Sequence, residues 1–409
     1  MIENIDKMNG WSIEELPNLV FFQEGPGVRN NQYTDSGVKL LNVANLKDGN
    51  VYLDNTDRYI SEEEAYGKYS HFLVDEGDLI IASSGIKVEY FDKKMGFAKK
   101  EHLPLCMNTS TIRFKTLDDN ILNIEYFAYF LKTNYFKKQI SRLITGSAQL
   151  NFGPSHLKQI KVILPPRDVQ KKIVEVLDKA QELIDKRKEQ IDALDELVKS
   201  RFIEMFGDPA TNPKGWEITT IGDITIDVRY GTSKSAVDGG KYPYLRMNNI
   251  TYKGGLDLQD LKYIDIDNEE LEKCIVRKGD VLFNRTNSAE LIGKTCVFNL
   301  DEPMIIAGYI IRVRLNNDIL PIYLSMFLNS DYGKKLLKGM AKGAVNQANI
   351  NAQELKSIKI SIPPIELQNE FADFVEQVEK LKSQMETSLK ELEDNFNSLM
   401  QKAFKGELF

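Results

Sequence analysis

Cysteine is scarce in this chain. Cys106, Cys274 and Cys296 are the only three in 409 residues, far apart and with no C-x-x-C pair. That excludes a disulfide framework and a structural zinc site, and it fits a reducing cytoplasm. Histidine is as rare. His71, His102 and His156 are scattered, and none sits at metal-pair spacing. No apolar run approaches the ~18 residues a membrane span needs. The opening Met1-Ile-Glu-Asn-Ile-Asp6 is acidic and lacks a signal-peptide core. A cytoplasmic chain with no membrane partner is expected.

Catalytic signatures are also missing. There is no G-x-G-x-x-G fingerprint. Ser288-Ala-Glu-Leu-Ile-Gly-Lys-Thr295 approaches a phosphate-binding loop but has Ser where the first glycine must sit. Asn212-Pro213-Lys214 lacks the second proline and the aromatic of the Asn-Pro-Pro-aromatic tetrapeptide that amino-methyltransferases use. The expectation is a non-catalytic chain that holds no metal or cofactor itself.

A basic surplus is lacking too. The net charge is −7, which argues at first against a nucleic-acid partner. The acidity is unevenly spread, however. Residues 167–206 carry nine Lys/Arg against ten Asp/Glu, and 366–409 carry five against ten. The remaining blocks are close to neutral, so local basic surfaces can exist there.

What is present is a repeat. Leu164-Pro-Pro-Arg-Asp-Val-Gln170 returns as Ile362-Pro-Pro-Ile-Glu-Leu-Gln368, 198 positions on. Trp11-Ser-Ile-Glu-Glu-Leu16 matches Trp216-Glu-Ile-Thr-Thr-Ile221. Leu41-Asn-Val-Ala-Asn-Leu46 matches Leu245-Arg-Met-Asn-Asn-Ile250, and Val74-Asp-Glu-Gly-Asp-Leu-Ile-Ile81 matches Val276-Arg-Lys-Gly-Asp-Val-Leu-Phe283. Ile112-Arg-Phe114 and Tyr126-Phe-Ala-Tyr-Phe-Leu131 match Ile311-Arg-Val313 and Tyr323-Leu-Ser-Met-Phe-Leu328. The offset drifts between matches, as in a tandem duplication that has diverged at its loops. A period near 200 repeats whole domains, not solenoid units.

Within each block, β-branched and aromatic runs bounded by Gly, Asn and Asp predict strands at 39–43, 78–82, 111–115, 280–283 and 309–315. Helical spacing covers 124–144 and 321–340. A polar Gly loop follows each helix, then a further strand (160–164, 358–362) leading into Pro-Pro. Each block is thus an α+β globule.

Behind each Pro-Pro lies a long amphipathic run. Leu177, Ile184, Ile191 and Val198 lie on a heptad seam interrupted at Arg187 and Arg201. Phe371, Val378, Leu389 and Leu392 lie on a second seam, shifted once near Met385. Helices of about 40 residues span roughly 60 Å, and a lone stripe of that length needs a partner. The expected partner is the other copy, antiparallel. The boundaries expected are a first domain 1–166, a helix 167–206, a linker 207–215, a second domain 216–364 and a helix 365–409.

Polar loops recur at matching places in the two blocks. In the second block they offer Arg229, Tyr230, Thr232 and Lys234, then Arg246, Asn248 and Asn249, then Arg285 and Asn287, and finally Lys342, Asn346 and Gln347. The first block offers Ser83, Ser84, Lys87, Gln149 and Asn151. Arg reads guanine, Asn and Gln read adenine, and Ser, Thr and Lys hold phosphates. These are the candidate DNA-binding residues.

The combination resembles the specificity subunit of type I restriction-modification systems. The carrying features are the duplicated Pro-Pro-x3-Gln segments and the linker Phe206-Gly-Asp-Pro-Ala-Thr-Asn-Pro-Lys-Gly-Trp216. The Arg229-Tyr-Gly-Thr-Ser233 loop and the terminal Ala403-Phe-Lys-Gly-Glu-Leu408 add to it. The resemblance covers nearly all of the chain. It implies two target recognition domains separated by two long antiparallel coiled-coil helices, with pseudo-two-fold symmetry. Each domain would read one half of a bipartite double-stranded DNA target. The helices would set the spacing and dock two methyltransferase subunits, with restriction subunits joining the complex. S-adenosylmethionine, ATP and Mg would be bound by those partners. The Arg29-Asn-Asn-Gln-Tyr33 region departs from the pattern, lacking the Gly-Thr loop of the second block. A coiled-coil scaffold without DNA readout is the alternative; it leaves the matching polar loops unexplained.

Overall fold

The computed structural model describes residues 10–54, 56–144, 150–288, 290–344 and 347–409. The chain forms two compact units, one of Met1–Lys186 with Leu389–Phe409, the other of Arg187–Ser388. Each unit therefore takes one half of each long helix.

The first unit is built on an antiparallel sheet in the order Val20–Glu24, Thr111–Thr116, Leu79–Ala82, Met95–Phe97. Leu79–Ala82 is buried at every position, so it reads as a continuous apolar run and not as an alternation. A smaller sheet runs Leu105–Met107, Val38–Leu41, Tyr59–Ile60, its first pair parallel. Ser12–Glu15 pairs with Lys161–Leu164, tying the start of the block to its end just before Pro165.

The second unit repeats this order. Its main sheet is Thr225–Tyr230, Ile310–Leu315, Val281–Asn284, Thr295–Val297. Tyr242–Leu245 pairs in parallel with Met304–Ile306, and Glu217–Thr220 closes on Lys359–Ile362. The duplication read from the sequence is thus a duplication of topology.

One expectation is corrected. The apolar spacing over 124–144 and 321–340 predicts one helix in each, but each is two: Ile124–Lys132 with Asn134–Leu143, and Pro321–Asn329 with Asp331–Met340. The breaks fall at Thr133 and Ser330, both with extended backbone. Each hydroxyl donates back to a carbonyl, Phe130 at 2.6 Å and Ser330's partner Phe327 at 2.7 Å. Each also accepts the N–H three residues on, Phe136 at 3.2 Å and Gly333 at 3.0 Å. A side chain that satisfies both turns makes stopping and restarting the helix cheap.

The long helices run Arg167–Phe206 and Ile365–Lys405. Pro166 and Pro364 fix where each starts, since they supply the carbonyls that Gln170 and Gln368 N–H groups meet. In the first unit Ile173, Val174 and Leu177 share a core with Met400, Ala403 and Phe404. In the second, Leu194, Val198, Phe202, Met205 and Phe206 share one with Phe371, Val375 and Val378. Early residues of one helix meet late residues of the other, so the segments are antiparallel within each unit.

Of the seam residues, Leu177, Ile184, Val198, Phe371 and Val378 are buried, and Ile191, Leu389 and Leu392 are partly buried. The interruption at Arg201 is bridged by Phe202, 1% exposed, whose ring meets Phe206, Tyr323 and Phe371 at 5.2–5.6 Å. The linker is ordered by Trp216, whose indole N–H donates to Phe206 O at 2.9 Å, with Asn212 bonded to both backbone groups of Trp216.

Candidate DNA interface

The structure brings two of the polar loops of each block together. In the second unit the main-sheet strand Val281–Asn284 runs on through Arg285 into Thr286–Asn287, which pairs with Gln347–Asn349. That strand pairs in turn with Lys342–Ala344. In the first unit Ser84–Ile86 follows Leu79–Ala82 and pairs with Leu150–Asn151, Asn151 opposite Ser84. The loop after the sheet and the loop before Pro-Pro are therefore one surface element in each unit. Gln149 and Asn346 lie outside the described residues, and for Lys342 and Gln347 only the strand positions are described.

Tyr230 and Arg285 form the organised pair of the second unit. The Arg285 guanidinium lies 4.9 Å from the centre of the Tyr230 ring, an attractive cation–π arrangement. The Tyr230 hydroxyl is fixed by the backbone N–H of Ala352 at 2.8 Å. Among the described residues, the buried Arg285 Nε has no hydrogen-bond partner. Asn287, partly buried, accepts the N–H of Ser288 at 2.9 Å.

Three other cations named from the sequence in the second unit are held by carboxylates of that unit. Arg229 pairs with Asp227 at 2.8 Å, and Arg246 with Asp260 at 2.7 Å. Lys234 meets both Asp267 and Glu270 at 2.9 Å, and those partners raise its pKa further. Asn248 is exposed beside Arg246.

Three of the candidates are buried. Asn249, 2% exposed, accepts the N–H of Arg246 and donates to Asp257 O, both at 2.8 Å. It holds a turn, as Asn45 does in the first unit by accepting the N–H of Asn42 and donating to Tyr52 O. Thr232 and Ser83 are each 1% exposed. Thr232 packs against the strand Met304–Ile306, its N–H bonded to Ile306 O, and Ser83 lies beneath Ser84, whose hydroxyl meets that of Ser110 at 2.7 Å. The Thr232 hydroxyl accepts the N–H of Lys234 at 3.2 Å, and side chains buried to this degree do not extend to a base edge.

The repeated Arg113 and Arg312 are likewise structural. Arg113 bonds His71 O, Leu73 O, Gln23 and Asp78. Arg312 bonds Asp227 and Ile275 O. Burial pushes the Asp227 carboxyl up, but hydrogen bonds from Arg312 and Arg229 outweigh it and hold it below the usual range.

Sequence reasoning named Lys87 but missed the lysines that join it, and missed a second pair altogether. Lys294 and Lys334 are drawn inward in the second unit and bond carbonyls, Met247 O at 2.7 Å and Gly293 O at 3.0 Å. Burial lowers the pKa of both, and the Lys294 ammonium adds to the shift of Lys334, which falls to about 8. In the first unit Lys47, Lys87, Lys93 and Lys94 surround a cleft of about 430 Å³ with Asp48, Gly85 and Tyr90. The doublet Lys93-Lys94 next to Tyr90 was the legible signal; Lys47 lies too far off in sequence to join it.

Two copies of one α+β module, each joining a sheet edge to a polar loop and each built around segments of two long helices, define a duplicated recognition protein. The chain belongs to the type I restriction modification DNA specificity domain family, whose model matches residues 10–195 and 213–394. It is 25% identical to the type I restriction enzyme EcoKI specificity subunit of Escherichia coli K12, over 98% of this chain and 89% of that one. Identity to the StySPI specificity subunit of Salmonella potsdam is 24% over the same shares. A chain solved in work on complex assembly and conformational transition of the type I restriction-modification system superposes with a TM-score of 0.59. It is 17% identical and covers 98% of this chain and 99% of that one, which shows a common fold. Among the described residues no helix is long and apolar enough to cross a membrane.

Proposed function

We propose that this chain is the DNA-recognition subunit of a type I restriction-modification complex, each unit reading one half of a bipartite target. The carrying observation is that both units join the same two loops at the same sheet edge but furnish them differently. The first places Ser84 opposite Asn151, and the second places Arg285 and Asn287 beside Gln347–Asn349. One scaffold with two sets of side chains suits two different half-sites. The continuous helices suit a spacer of fixed length, as half-site separation requires. Two methyltransferase subunits would dock on that spacer and restriction subunits would join them. S-adenosylmethionine, ATP and Mg would be bound by those partners and not by this chain.

The test is to express the chain with its methyltransferase subunits and map methylated adenines by single-molecule sequencing. A split motif with a fixed gap is expected. Arg285→Ala should relax one half of it by about 1–3 kcal/mol and leave the other half unchanged. A contiguous motif, or relaxation of both halves together, would overturn the reading.

A further inference from the structure

The two units differ in how their surface cations are used. In the second unit Lys234, Arg229, Arg246 and Lys253 are paired with carboxylates. In the first unit Lys47, Lys87 and Lys93 are exposed and Lys94 is partly so. Among the described residues, none of the four has an ion-pair partner. Asp92, in the same turn as Lys93, is taken by Lys137 at 3.1 Å. Among the described residues, Asp48 is the carboxylate that lines the cleft with these four lysines.

The registers show what the second unit has instead. Lys94 O accepts the N–H of Ala82, and Lys294 O accepts that of Asn284, both at 2.8 Å, each from the last residue of the matching strand. Lys94 and Lys294 are therefore equivalent, and Lys294 is turned inward to Met247 O. The residue before Lys294 is Gly293, where the first unit has Lys93. Thr251 follows Ile250 as Lys47 follows Leu46. Only one lysine of the group survives there, and it is spent internally.

Resting on the recognition reading above, we propose that the Lys47–Lys87–Lys93–Lys94 cleft seats phosphates of the DNA backbone at the first half-site, and that the second unit has no equivalent clamp. Unpaired ammonium groups around a concave, open surface favour a polyanion, because neutralising phosphates releases counterions. Tyr90, 51% exposed, lies 5.9 Å from Lys93 Nζ and offers its ring and hydroxyl to the sugar-phosphate edge. Lysines are point charges without a bidentate fork, so the clamp would hold the duplex in place without reading its sequence. The first half-site would supply the salt-sensitive grip, and the second unit would contribute discrimination through Arg285.

The experiment is a salt titration of the full chain on a random-sequence 40-base-pair duplex, by fluorescence anisotropy. The variants are the quadruple Lys47→Gln/Lys87→Gln/Lys93→Gln/Lys94→Gln and, as control, Lys253→Gln/Lys278→Gln, two exposed lysines that pair with Asp192 and Asp301. The quadruple variant should flatten the slope of log K against log salt by about 3.6, at ~0.9 for each of four phosphate contacts. The control should flatten it by less than one, and since the cleft lysines are exposed, the thermal midpoint of the quadruple variant should stay unchanged. An unaltered slope in the quadruple variant overturns the proposal, as does absence of binding by the parent chain at 20 mM salt. Either result leaves the bipartite-target reading to its own test on the methyltransferase complex.

Discussion

Gln170 Oε1 accepts the backbone N–H of Asn123 at 2.8 Å, and Gln368 Oε1 accepts that of Leu320 at 2.8 Å. Each amide nitrogen then donates twice. Gln170 Nε2 reaches Ile121 O and Pro165 O, and Gln368 Nε2 reaches Asp318 O and Pro363 O. Both side chains are fully buried. The glutamine of the repeated Pro-Pro-x3-Gln is therefore a clamp. It fastens the first turn of a long helix to the residues that open the helix starting at Ile124 or Pro321.

Replacing Gln170 by Leu should strand three backbone groups. At ~1–3 kcal/mol for each buried group left unmet, with some recovered by water, a loss of roughly 3 kcal/mol in the first unit is expected. Calorimetry should show one of two transitions falling by about 6–12 °C. Gln170→Glu keeps the acceptor but loses both donors, so it should rescue little.

Phe202→Ala should be among the costliest single changes in the second unit. The ring is 1% exposed and packs on Phe206, Tyr323 and Phe371. Large-to-small changes at such sites cost about 3–5 kcal/mol. Urea unfolding should show the midpoint of the second unit falling. A loss below 1 kcal/mol would mean that the helix seam is not the core of that unit.

Lys334 should make stability rise with alkaline pH. Its pKa is lowered by burial and by the Lys294 ammonium to about 8, from an ordinary 10.5. The groups facing it are Gly293 O, Lys294 and the Tyr252 ring at 5.1 Å. Between those two pH values the unfolded chain holds a proton that the folded chain has released, so stability increases across that window. Below about pH 8 both states are charged and the full cost persists. Lys334→Met should therefore stabilise the second unit at pH 7 by about 2–3 kcal/mol and flatten its dependence between pH 8 and 10.5.

Asp195 should confer acid sensitivity. It bonds Lys382 on the other long helix and Lys253 at 2.9 Å. Burial raises its pKa, but the two ammonium groups outweigh that and hold it below 3.8. The stabilisation is complete above the ordinary carboxylate value and is lost as pH falls through the depressed one. Asp195→Asn should cost roughly 1–2 kcal/mol at pH 7 after solvent screening and have less effect near pH 2.

The starts of both long helices and the end of the first were legible because Pro-Pro and Gly207 punctuate the backbone itself, whereas the second, expected to run to 409, stops at Lys405 before Gly406. The seams were legible because a 3.5-residue period survives the Arg201 interruption. The breaks at Thr133 and Ser330 were hidden, since a hydroxyl that caps a helix looks the same in sequence as one on its solvent face. Gln170 and Gln368 were visible as repeated letters, but their partners lie 47 and 48 residues upstream, beyond any local pattern. Asn249 stood among the candidates because asparagine serves equally to read adenine and to hold a turn, and its burial shows the second role. The lysine cleft gathers positions 47 to 94, a grouping made by sheet pairing and invisible to spacing.

Phe404 stacks on Tyr126 at 5.1 Å and lies 6.4 Å from Phe130, inside the unit that begins the chain. About two hundred residues of the second unit are synthesised between them. A nascent chain that has just emerged through Phe206 thus has its first sheet complete but its aromatic wall open. Order of synthesis and order of closure are therefore opposed: the unit made first is sealed last. Until Met400, Ala403 and Phe404 arrive, Tyr126 and Phe130 form a sticky surface, and translation speed through the second unit sets how long it stays bare.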